Sequence, residues 1–67
     1  MCMGIPQLII AINDDMASIQ YRDRVQEAKM PTMEYNIGDY VFAQAGFILQ
    51  KIEKEDAQKA LALLEEL

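Results

Sequence analysis

Gly38-Asp39-Tyr40-Val41-Phe42-Ala43-Gln44-Ala45-Gly46-Phe47-Ile48-Leu49-Gln50-Lys51-Ile52 is the stretch that decides the fold class. Gly38-Asp39 carries turn chemistry, and the alternation that follows puts Val41, Ala43 and Ala45 on one face of a strand over 40–45. Gly46 interrupts an apolar run, which inside a strand pattern marks a bulge or a close backbone approach. A last strand is expected over 47–52. There the period changes. From Glu53 to Leu67, Ala57, Ala60, Leu61, Leu64 and Leu67 recur at helical spacing. Glu53, Glu55 and Asp56 fall in the first turn, where negative charge complements the helix dipole.

Upstream, short apolar stretches alternate with turn residues. Gln7 to Ile12 is rich in β-branched residues, and as a plain strand it puts Leu8, Ile10 and Ile12 on one face. Asn13-Asp14-Asp15 supplies a turn, since Asn and Asp tolerate left-handed backbone. Met16 to Tyr21 alternates again, with Ala17, Ile19 and Tyr21 together, and Arg22-Asp23 is a tight turn without glycine. Arg24 to Met30 reads as a third strand. Val25, Ala28 and Met30 do not share a face there, so a bulge or a crossing between sheet faces is expected. Pro31 then breaks the pattern, and 30–37 reads as a connecting loop. The fold expected is mainly β, a small closed or partly closed β-barrel over residues 1–52 with a C-terminal α-helix over 53–67, as a single domain.

At 67 residues a domain buries only about 60% of the surface its unfolded chain exposes. The hydrophobic fraction of 52% still supplies a core. Little interior is left for a deep substrate pocket. The net charge of −5, from 6 basic and 11 acidic side chains, disfavours phosphate backbones and anionic membrane surfaces. Arg22, Arg24 and Lys29 are interleaved with Asp23 and Glu27, so no basic stripe forms. No signal peptide and no membrane-spanning run is visible, and the expected location is the cytoplasm.

The chain has no histidine and one cysteine, Cys2. Histidine-based catalytic triads, histidine zinc sites, a disulfide within the chain and a glycine-rich phosphate loop are all excluded. Nothing suggests an enzyme. Cys2 is chemically pointed. If Met1 is removed, its thiol and the α-amine sit on adjacent carbons, and thiolate is a soft ligand suited to iron. The same residue read without that context is an incidental cysteine near a chain end. Gly4 and Pro6 either fix the path of this segment or simply form a turn before the first strand. Met30 and Met33 are either gap-fillers or an adaptable docking surface.

Met1-Cys2-Met3-Gly4-Ile5-Pro6, together with Gly38-Asp39-Tyr40-Val41, Gly46-Phe47 and the acidic helix ending in Leu-Leu-Glu-Glu-Leu, resembles the HypC/HupF family of hydrogenase assembly chaperones. The family opens Met-Cys-apolar-Gly-apolar-Pro, and the resemblance covers essentially the whole chain. It implies an OB-like β-barrel with a C-terminal helix and no enzymatic activity. It implies two partners, a HypD-like iron–sulfur scaffold protein and the precursor of the nickel–iron hydrogenase large subunit. It also implies iron as a transient cargo with Cys2 as contact and ligand, and Cys2, Gly4, Pro6, Gln44, Gly46 and Phe47 as the partner-binding set. Gln44 departs from relatives that often carry histidine two residues before the Gly-Phe pair, and glutamine is a poor iron ligand. Two other readings of the residues are a β-barrel interaction module without a metal role and an OB-like nucleic-acid-binding module, the latter opposed by the acidic charge.

Overall fold

The computed structural model describes residues 5–65. Five strands and one helix follow one another: β1 (Gln7–Asn13), β2 (Met16–Tyr21), β3 (Arg24–Lys29), β4 (Tyr40–Gln44), β5 (Phe47–Ile52) and α1 (Lys54–Glu65). The strands close into a barrel in the order β1-β2-β3-β5-β4. This is the small OB-like barrel with a C-terminal helix that the sequence predicts. β1, β2 and β3 form an antiparallel meander, and β4 pairs with β5 as a hairpin. Two short seams join these halves, β1 to β4 through Gln7↔Val41 and Leu8↔Tyr40, and β3 to β5 in parallel through Lys29↔Phe47.

The core consists of Ile9, Ala17, Ile19, Ala28, Met30, Val41 and Ile48, with Ile12, Tyr35 and Ala43 packed against it. Two expectations about faces are corrected. In β1 the ladder shifts between Ile9 and Ala11, so Ile9 points inward, Ile10 is exposed, and the strand turns Ile12 back to the core. The bulge resets the parity that simple alternation assigns to Leu8, Ile10 and Ile12. In β3 no bulge is needed: the pairing with β2 is regular from Tyr21↔Arg24 to Met16↔Lys29. Ala28 and Met30 share the inner face, and Val25 stands on the outer one, exposed. Met30 is thus a core gap-filler, whereas Met33 is exposed.

The strand expected over 40–45 ends at Gln44, because Ala45-Gly46 is a turn, not a bulge within a strand. Gln44↔Phe47 closes it, and φ is 56° at Ala45 and 84° at Gly46. Positive φ at both central residues is the signature of the type I′ hairpin, whose twist matches that of the flanking strands. Glycine adopts this backbone freely; alanine does so at a cost of about 1–2 kcal/mol. Asparagine tolerates it better. Ala45→Asn should therefore raise stability by roughly 0.5–1 kcal/mol, a gain of about 2–8 °C in Tm for a domain this small. A lower Tm would mean that the alanine methyl makes contacts that outweigh its backbone strain.

The loop over 30–39 is tied down by Lys51. Its Nζ lies 3.4 Å from the Asp39 carboxylate. It donates to the Glu34 carbonyl at 3.3 Å and sits 5.8 Å from the centre of the Tyr35 ring. Asp39 also accepts from the Asn36 backbone N–H at 2.9 Å. Gly38 donates to the Ile9 carbonyl, and Ile9 to the Asp39 carbonyl, both at 2.9 Å. The loop thereby joins the edge of β1 beyond its two pairs with β4.

α1 starts at Lys54, with Glu53 before it accepting from the Ala57 N–H at 2.9 Å. Residues 66 and 67, which the sequence reading includes in the helix, lie outside the described residues. Ala57 is fully buried, while Ala60, Leu61 and Leu64 are half-buried and Leu63 is exposed. Leu61 meets the barrel beside Pro6, Leu8 and Tyr40 across a crevice of about 260 Å³. Leu61→Asp should cost about half of a fully buried leucine's roughly 1.5–3 kcal/mol, and so lower Tm by several degrees. Leu63→Asp is the control and should leave Tm within about 1–2 °C, as surface changes usually do. Equal melting curves for the two variants would mean that the helix gains nothing from the barrel.

Candidate functional site

The barrel interior is not uniform along its length. One end holds the aliphatic core. At the other, the inward positions are Gln7, Arg24 and Gln26, as the register with Val41, Tyr21 and Ile19 dictates. These residues open onto a groove of about 310 Å³ that Ile5, Tyr21, Val25, Ala43, Gln44 and Ala45 complete. The Gln26 amide donates to the Gln7 side-chain oxygen at 3.3 Å across one wall. Arg24 makes no ion pair among the described residues. The groove thus offers one guanidinium, three amides, a phenol and a few apolar surfaces. Among the described residues no carboxylate and no thiol or aliphatic hydroxyl lines it. It can hold a polar or acidic partner.

Ile5, the first described residue, thus stands on the same groove as Gln44. Pro6 is fully buried and faces the helix crevice instead of the groove. It anchors that segment between Leu8, Tyr40 and Leu61. Gly46 belongs to the hairpin turn at the groove's rim, with open space where a Cβ would stand. Phe47 is 55% exposed and pairs with Lys29 outside the groove. Cys2 and Gly4 lie outside the described residues. Among the described residues no three carboxylate, cysteine or histidine side chains stand together as a metal site, and no helix is long and apolar enough to cross a membrane.

Sequence reasoning missed Gln7, Tyr21, Arg24, Val25 and Gln26 as groove residues. A signal was there. Arg24 and Gln26 share parity with Ala28 and Met30, so one face of β3 changes from polar to apolar partway along the strand.

The HupF/HypC family model matches residues 1–64. A protein named Hydrogenase maturation factor HypC from Helicobacter hepaticus is 33% identical, over 100% of this chain and 81% of its own. One of the same name from Azotobacter chroococcum is 34% identical over 100% of this chain and 82% of its own. A third, from Rhizobium leguminosarum bv. viciae, is 35% identical over 98% of this chain and 91% of its own. With the barrel, the helix and the Met1 to Pro6 segment all accounted for, the chain belongs to the HupF/HypC family.

Proposed function

We propose that the protein is a hydrogenase maturation chaperone, and not a catalyst, that binds partner proteins through its N-terminal segment and the groove beside it. The observation that carries this reading is the similarity to the HypC maturation factors over the full chain. The partners proposed are a HypD-like scaffold protein and the precursor of a nickel–iron hydrogenase large subunit. Iron is the proposed cargo, handed on to the partner and not kept as a resident cofactor. Cys2 is the proposed ligand, because it is the chain's single thiol and thiolate favours soft metals. With no histidine in the chain, further ligands must come from the Cys2 amine, the partner or the small ligands of the iron itself. Gln44, Gly46 and Phe47 would contribute partner contacts at and around the groove, and Pro6 would hold the segment's base.

Complementation tests the reading. In a host deleted for its own HypC, this chain should restore maturation of the large subunit and hydrogenase activity. Failure to restore either, with the chain present in soluble form and with the host's own protein restoring both, would sink the proposal. The single-domain organisation over 1–67 is proposed on the same grounds.

A further inference from the structure

The backbone of β3 points to a partner of a particular shape. Met30 donates to the Asp15 carbonyl at 2.8 Å on the β2 side, and Lys29 donates to the Gly46 carbonyl at 2.8 Å on the opposite side. Alternation along an antiparallel ladder then turns the N–H and C=O groups of Val25 and Glu27, like those of Lys29, away from β2. Lys29 meets β5 there. Among the described residues Val25 and Glu27 meet no strand, because β3 and β5 pair only at Lys29↔Phe47. The space beside Val25 is the groove itself, with Ala43, Gln44 and Ala45 on its far bank.

Unpaired backbone donors and acceptors along a strand edge are a template for one more strand. The charge of the slot selects among strands. Among the described residues Arg24 is the one charged side chain lining it, and no carboxylate lines it. We infer that the open edge of β3, at Val25 and Glu27, takes an extended acidic segment of a partner protein as an added strand, with a carboxylate of that segment on Arg24. Alternate side chains of such a strand enter the groove, toward Arg24 and the amides of Gln7, Gln26 and Gln44, while the others face solvent. A peptide backbone supplies the matching ladder of hydrogen bonds, which a nucleic acid does not. This goes beyond the chaperone reading and stands whether or not Cys2 handles iron.

The probes are capped heptapeptides, acetyl-Ser-Glu-Val-Glu-Val-Glu-Ser-amide and its counterpart with lysine for each glutamate. Two further acidic peptides carry methyl groups on alternate backbone nitrogens, one in each register. Titration into the ¹⁵N-labelled full chain, followed by amide exchange, reads site and ladder together. The acidic peptide should shift and protect the Val25 and Glu27 amides and bind roughly tenfold more tightly than the lysine peptide. One of the two methylated peptides should lose most of that binding. Arg24→Glu, at an exposed position, should keep the dispersed spectrum and reverse the charge preference. Equal binding of acidic and basic peptides, shifts centred on Phe47 or Leu49, or indifference to both methylated registers would overturn the inference. So would protection of Val25 and Glu27 that grows with protein concentration without peptide, since a second copy would then be the occupant.

Discussion

Replacing Cys2 by alanine is expected to abolish complex formation with the HypD-like scaffold and with the large-subunit precursor while leaving the fold intact. The residue is the chain's single thiol, and residues near a chain end usually bury little surface. The described barrel has a contiguous core in Ile9, Ala17, Ile19, Ala28, Met30, Val41 and Ile48. Circular dichroism and Tm of Cys2→Ala should therefore match the parent protein, with Tm within about 1–2 °C. Co-purification of both partners should fall to background. Cys2→Ser should not rescue it, because a hydroxyl is a harder ligand and ionises far less readily than a thiol. If Cys2→Ala holds both partners and supports maturation, the thiol has no part in the function.

The second large effect is on stability. Ile19 has no exposed surface and sits on β2 between Ile9 of β1 and Gln26 of β3. Truncating such a side chain to alanine costs about 2–5 kcal/mol, the lost transfer energy plus the cavity left behind. A domain of this length has roughly 3–10 kcal/mol in total at the usual stability per residue. Ile19→Ala should consequently halve the urea midpoint or prevent folding at 37 °C. Ile19→Val, which removes one methyl group, should cost only about 0.5–1.5 kcal/mol. The pair is read by urea titration, and a midpoint for the alanine variant close to the valine one would show that the core collapses around the gap.

Most of the fold was legible because the apolar pattern changes period near Ile52 and turn residues punctuate the rest. Asn13-Asp14-Asp15 and Arg22-Asp23 became the two turns expected of them, with φ of 58° at both Asp14 and Arg22. Alternation failed where a strand changes its pairing: Ile10 gives no sign in the sequence that the ladder slips at its position. Ala45-Gly46 was misread for another reason. Alanine is an uncommon residue at positive φ, so a turn that Asn-Gly would have announced passed as a strand end. For the site, the resemblance drew attention to Gln44, two residues before Gly46-Phe47, and Gln44 lines the groove. The groove's other walls escaped notice because they come from four strands, and only the closed barrel places Gln7, Arg24 and Ala43 together.

The seam between β3 and β5 has a mechanical consequence. A ring of strands yields where its joints are shortest, and local openings follow the least-supported hydrogen bonds. β2 and β3 are joined along their whole lengths, whereas β3 and β5 hold at one register pair beside Gly46. The barrel is thus stiff within the β1-β2-β3 meander and within the β4-β5 hairpin, and most compliant along the line that runs from Gly46 toward Arg24. Load applied there spreads the slot like the split in a collet, with the short β1-β4 seam as its hinge, while Ile9 and Ile19 stay gripped by the long joints of the meander.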